Sequence, residues 1–176
     1  PDEVSATFGE VPSGEVAGEP QPNWGWQAWH YYWLRKRLEW YESIGLERDS
    51  LELHWQAKEE LAHYARATVD ILYKFPFGTQ ELEGIAARSN FDLTQHQKFS
   101  GKSMEYFDDA AKAKYIPHVI EPSAGVDRMV LALICHASRE EEVVDEKGKS
   151  ETRIVMKFHP KIAPIKVGVF PLLKNK

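Results

Sequence analysis

Glu121, Ser123 and Arg128 are the residues whose types and spacing point most directly to chemistry. They fall in the stretch YIPHVIEPSAGVDRMVLALICHA, Tyr115 to Ala137. Ile116, His118 and Ile120 alternate with Pro117 and Val119, which predicts a short strand, with Pro117 favouring an edge or a strand start. Pro122, Ser123, Ala124 and Gly125 predict a tight turn, and Val126, Met129, Val130, Leu133 and Ala137 then recur at helical spacing. Arg128 therefore sits in the first turn of a helix. Free backbone N–H groups and the positive end of the helix dipole favour an anion there, and a planar guanidinium strengthens phosphate binding. Glu121 offers a carboxylate to an ammonium group and Ser123 a hydroxyl to a polar partner, so the turn could hold an amino acid beside a nucleotide. On spacing alone, an ordinary strand–turn–helix with Arg128 paired to Asp127 or Glu121 explains the same residues.

Other elements must position these groups. Trp26, Trp29, Trp33, Trp40, Tyr41 and Ile44 lie on one helical stripe that Gly45 is placed to end, predicting a helix over 24–44 whose aromatic stripe is core or interface. A second helix is expected over 56–66, with Glu59 and Glu60 near its start and Arg66 near its end. Val69, Ile71, Tyr73 and Phe75 alternate with polar neighbours up to Pro76 and Gly78, a strand and a turn. The partner strand would carry Glu81, Glu83 and Ile85, with both carboxylates on one face and Gly84 permitting close approach of a ligand or backbone. Asp92 and Gln95 have the spacing of a capping box opening a short helix that ends near Gly101. A turn or hairpin is expected over 103–114. Glu140 to Glu151, with a DEKGKS turn between VV and RIVMKF, predicts a surface β-hairpin. Pro164 to Leu172 reads as a buried strand.

Composition sets bounds. The 176 residues, 43% hydrophobic, can bury a core, and the net charge of −5 gives no global reason to bind nucleic acid. The single cysteine, Cys135, cannot form an internal disulfide and suits a reducing compartment. Seven histidines show no pairing with cysteine at metal-ligand spacing, so no protein metal site is expected. No apolar run reaches membrane-spanning length and no signal peptide is visible. Residues 1–23, rich in Pro, Gly, Glu and Ser, predict a flexible surface segment. Beginning at Pro1 rather than Met, and stopping just after an apparent strand, the sequence reads as a piece of a longer protein. No glycine-rich phosphate loop, nucleophile-elbow pattern or internal repeat is present.

EPSAGVDRMVLALI resembles motif 3 of the class II aminoacyl-tRNA synthetases, in the form found in glycyl-tRNA synthetases. HYARATVDILYKFPFG (63–78), ELEGIAARSNFDLTQHQKFSG (81–101) and HPKIAPIKVGVFPL (159–172) resemble the same family in the same chain order. The resemblance covers about 24–173. It implies an α+β fold, a class II synthetase-like antiparallel sheet flanked by helices, with 24–158 as part of the catalytic domain. Residues 159–176 would be a linker and the first strand of an anticodon-binding domain. The implied reaction is ATP-dependent activation of glycine to glycyl-adenylate and transfer to tRNA-Gly by a cytoplasmic homodimer, with Mg²⁺ accompanying ATP and no membrane partner. The resemblance implies that Arg128 is catalytic and holds the ATP phosphates. Glu81, Leu82, Gly125, Val126 and Asp127 would complete the ATP site, and Glu121, Pro122, Ser123, Ala124 and Gly125 would bind glycine. Residues 1–23 contain no counterpart of the arginine-bearing motif 2 or the dimer-forming motif 1, so the chain alone is expected to be inactive. The alternative is a non-catalytic accessory or binding subunit that keeps the synthetase fold; its expected mark, decay of motif 3, is absent because Glu121, Ser123, Gly125 and Arg128 are all intact.

Overall fold

The computed structural model describes residues 24–144 and 148–172, so the expectation of a flexible segment over 1–23 lies outside the described residues. Helix α1 spans Trp26–Ser43 and ends as predicted at Gly45. There φ is +99°, and an added Cβ would lie 2.7 Å from the Cβ of His159, so glycine is required both for the left-handed turn and for the close approach. The buried stripe is not the tryptophan stripe. His30, Tyr31, Leu34, Leu38 and Tyr41 face the core, whereas Trp33 and Trp40 are 39% and 36% exposed. Aromatic residues nearly encircle this helix, so periodicity alone leaves the buried direction open and the sheet decides it.

That sheet has four antiparallel strands in the order β1 (Leu51–Trp55), β2 (Ala67–Phe75), β3 (Gly78–Ser89) and β6 (Val119–Ala124). Val69, Ile71, Tyr73 and Phe75 are buried as their alternation requires, and Ile85 and Ala87 join them from β3. Two expectations change here. The helix foreseen over 56–66 is a series of turns, and the preceding LELHW forms β1 instead. The charges at 59, 60 and 66 imitate helix ends, but the segment has no apolar stripe to bury; Leu51, Leu53 and Trp55 do have a partner in β2, and the pairing wins. Likewise the strand expected over 115–120 runs over Val119–Ala124, so Pro122, Ser123 and Ala124 of the expected turn are strand, and Gly125 caps the helix that follows.

A proline can sit there because β6 is an outer strand of the described sheet. Pro122 lies opposite Ile85. The Ile85 carbonyl accepts from His30 Nε2 at 2.8 Å, which requires the proton of this buried imidazole to be on Nε2. Burial lowers the His30 pKa below 6.5, against the raising influence of the Ile85 bond. Burial also lowers that of His136, whose Nδ1 lies 3.4 Å from the Tyr73 hydroxyl. Both rings are therefore neutral in the fold at pH values where the unfolded chain takes up protons, so stability present above about pH 6.5 is lost as pH falls below it. Urea midpoints should drop between pH 7.5 and 5.5, and His30→Gln should flatten that slope. A midpoint independent of pH over this range would show that neither ring is held neutral.

Helix α2 spans Phe91–Ser100 and stops at Gly101 in the left-handed region. The predicted capping box does not form: Asn90 is the N-cap, without a side-chain cap bond, and Asp92 accepts from Arg88 instead. Strands β4 (Tyr106–Asp108) and β5 (Ala113–Tyr115) make the hairpin expected over 103–114. Helix α3, Val126–Ala137, buries Ala132 and Ala137 and packs Met129, Leu133 and Cys135 against the core. Strands β7 (Ser138–Val144) and β8 (Ser150–Met156) form the predicted charged hairpin. Residues 164–172 are neither paired nor buried, with Val169 92% and Leu172 97% exposed; their apolar alternation finds no partner strand among the described residues. No described helix is long and apolar enough to cross a membrane.

Candidate functional site

Register places the polar groups. Asp70 pairs with Gly84 and Gly84 with Ser123, while Thr68 pairs with Ala86 and Ala86 with Glu121. In an antiparallel sheet directly opposed residues share a face, so Asp70, Ser123 and Glu121 stand on one face around Gly84. Val69, Ile71 and Ile85, one position away, point to the other face and into the core. Gly84 leaves a hollow in this row. A Cβ there would lie 3.3 Å from Asp70 Oδ1 and 3.7 Å from Glu81 Oε1, so both carboxylates lean over the bare backbone.

Asp70 and Glu121 are each held in place. Asp70 is buried, and its Oδ2 accepts from Gln56 Nε2 at 2.9 Å. Glu121 Oε2 accepts from Arg88 Nη1, and Arg88 Nε donates to Asp92 Oδ2 at 2.7 Å. The Arg88 guanidinium also lies 3.8 Å from the centroid of the Tyr64 ring, a cation–π contact that fixes its plane. Its hydrogen bond holds the Asp92 carboxyl below the usual carboxylate range. A glycine floor, three surrounding carboxylates and the Ser123 hydroxyl suit a small ammonium ion with nothing bulky attached.

Directly after β6, Gly125 and the exposed residues Val126, Asp127 and Arg128 open α3. Arg128 Nη1 donates to the Glu81 backbone carbonyl at 2.6 Å, so the guanidinium is tied to the strand that carries Glu81. The helix start, with its orphan N–H groups and a cation beside them, suits a phosphate. Among the described residues, no cluster of three or more His, Cys, Asp or Glu side chains is placed to hold a metal ion.

The sequence was compared with known proteins. No protein-family profile matches it. It is 47% identical over 152 residues to a glycine–tRNA ligase of Thermobifida fusca, the match covering 85% of this chain and 33% of that protein. It is 49% identical over 148 residues to a glycine–tRNA ligase of Treponema denticola, covering 84% of this chain and 33% of that protein. A third, from Thermus thermophilus, is 48% identical over 163 residues, covering 84% and 31%. Over most of its length the chain is similar to glycyl-tRNA synthetases. It spans about a third of the length of these relatives.

The residues that the synthetase resemblance assigned come together from three elements: Glu81 and Leu82 from β3, Glu121 to Ala124 from β6, and Gly125 to Arg128 at the start of α3. The structure sorts them further. The Leu82 side chain is 2% exposed and belongs to the core, so only its backbone can face a ligand. Glu121 and Ser123 share the face of Gly84, whereas Pro122 and Ala124 alternate to the other. Arg128 pairs with neither Asp127 nor Glu121, the partners that spacing alone allowed. Glu81 and Glu83 do not share a face as expected. A register shift between Ile71 and Leu72 makes Leu82 an extra residue in β3, and the bulge sends Glu83 inward, 1% exposed, while Glu81 stays outside.

Sequence reasoning missed Asp70, Arg88 and the partners of Glu83. Asp70 had a signal, a lone acid inside the apolar run TVDILY, which needs a partner once buried. Arg88, closing the strand IAAR, had none, because its two carboxylates come from α2 and β6.

Proposed function

We propose that this chain supplies the floor of the glycine and ATP sites of a glycine–tRNA ligase. The observation that carries this reading is the hollow over Gly84, ringed by Asp70, Glu81, Glu121 and Ser123 and adjoining the Arg128-bearing start of α3. Glycine offers no side chain to grip. It must be held by its ammonium group, for which Glu121 and Ser123 are suited, and larger amino acids must be kept out by bulk. Attraction could not make that distinction, since one methylene is worth only ~1–3 kcal/mol in an apolar pocket, whereas a crowded floor rejects a β-carbon sterically.

In the first step a glycine carboxylate oxygen attacks the α-phosphorus of ATP. A C–O–P bond forms, the bond to the β-phosphate oxygen breaks, and pyrophosphate leaves with its electron pair. In the second, a hydroxyl of the terminal adenosine of tRNA-Gly attacks the glycyl carbonyl and AMP leaves. This chemistry needs positioning and charge stabilisation more than covalent help. Arg128 and the α3 N–H groups would hold phosphate oxygens, with the Gly125–Val126–Asp127 turn and the Glu81–Leu82 backbone against the nucleotide. Mg²⁺, bound with ATP, would neutralise phosphate charge; the described residues provide no separate cluster for it. A homodimeric cytoplasmic enzyme fits the reading. The intact protein should catalyse glycine-dependent ATP–pyrophosphate exchange, with alanine weaker by at least about 10²-fold in kcat/KM. Absence of glycine-dependent exchange would overturn it.

A further inference from the structure

The geometry points to Glu83 as a positioning residue: clamped by Arg37 and Tyr41 of α1, it fixes the β3 bulge and thereby aims the Glu81 carbonyl at Arg128. Glu83 is 1% exposed and is not among the residues assigned to contact a ligand. Its Oε1 accepts from Arg37 Nε at 2.7 Å, and its Oε2 from the Tyr41 hydroxyl at 2.6 Å. Tyr41 is itself fully buried, and Arg37 is held from the solvent side by the ring of Trp40, 4.4 Å from its guanidinium carbon. Both carboxylate oxygens are thus engaged by donors from one rigid helix.

What this clamp holds is irregular backbone. Ile71 pairs with Glu83 and Leu72 with Glu81, so Leu82 has no partner in β2 and the ladder is broken at the residue between the clamp and Glu81. A bulge of this kind re-aims the neighbouring peptide, and here that peptide carries the carbonyl accepting from Arg128 Nη1 at 2.6 Å. The connection runs without a gap from α1 through Glu83 and Leu82 to Glu81 and the start of α3. A regular strand would hold itself in register through its ladder; a bulged one requires an outside anchor, and a doubly bonded buried carboxylate is a stiff one. The glycine side is anchored differently, by Arg88 on Glu121. The clamp and the Arg88 anchor are separate supports, and loosening the clamp should disturb the nucleotide side more than the glycine side.

The kinetic part of this inference rests on the synthetase reading, so the test combines two measurements on the intact protein. In Glu83→Gln and Tyr41→Phe, amide hydrogen exchange over Glu81–Gly84 should accelerate about tenfold or more. In pyrophosphate exchange, the KM for ATP should rise on the order of tenfold while that for glycine stays within about twofold. A double variant, Arg37→Met with Glu83→Met, replaces the buried ion pair by apolar groups, an exchange that often restores stability. In it the ATP KM should remain raised even where Tm returns to that of the parent. The inference is overturned by unchanged amide protection in both single variants, by an ATP KM within about twofold of the parent in Glu83→Gln, or by glycine and ATP KM rising together. If the intact protein shows no glycine-dependent exchange, the synthetase reading fails, and the amide measurement by itself decides for or against the clamp.

Discussion

Arg128→Ala is expected to lower glycine-dependent ATP–pyrophosphate exchange by the intact protein on the order of 10²-fold or more, the usual effect of removing a donor that stabilises charge in a transition state. Two losses combine. The guanidinium stands in the first turn of α3, beside the N–H groups best placed for a phosphate, and it also bonds the Glu81 carbonyl at 2.6 Å, tying the helix start to β3. Arg128→Lys keeps the charge but not the planar fork, so it should recover only part of the rate. Because Arg128 is exposed, neither change should lower Tm appreciably. Exchange kinetics within about threefold of the parent would remove Arg128 from the phosphate site.

Glu121→Gln carries the second large effect. The substitution keeps size and shape but withdraws the charge proposed to face the ammonium, a charge-assisted bond worth ~1.5–3 kcal/mol, so the KM for glycine should rise roughly 10- to 100-fold. The KM for ATP should stay close to that of the parent, because the phosphate-side groups belong to α3 and β3. Arg88 would keep Asp92 as its partner at 2.7 Å, which limits the collateral disturbance. Ser123→Gly, from the same strand, should mainly relax the rejection of alanine. Steady-state exchange with both amino acids distinguishes the roles. Equal weakening of ATP and glycine by Glu121→Gln would make the β6 segment a nucleotide element only.

Local pattern was sufficient for much of the frame. The alternation over Val69–Phe75, the Pro76–Gly78 turn into β3, the stop of α1 at Gly45 and of α2 at Gly101, the β7–β8 hairpin and α3 with Arg128 in its first turn all follow from period, turn chemistry or capping within a few residues. The motif residues of β3, β6 and α3 were also identifiable by type, and the resemblance they carry is matched by relatives 47–49% identical.

Other features were decided by partners far away in the chain. Period shows that a segment has a buried face but does not name what lies against it, which is why the aromatic helix α1 turned a different side inward and why residues 51–55, not 56–66, became regular structure. Pro122 was compatible with a strand because that strand is outermost in the described sheet. The bulge at Leu82 put Glu83 beside Arg37, 46 positions earlier, and left Glu81 facing Arg128, 47 positions later. Glu121 met Arg88 across 33 residues. Which residue types could perform the chemistry was therefore determined by the sequence itself. Which of them share a face, and what holds each one still, was decided by strand register and buried charge pairing, because a hydrogen bond between distant residues forms only after the whole sheet has brought its donor and acceptor within 3 Å.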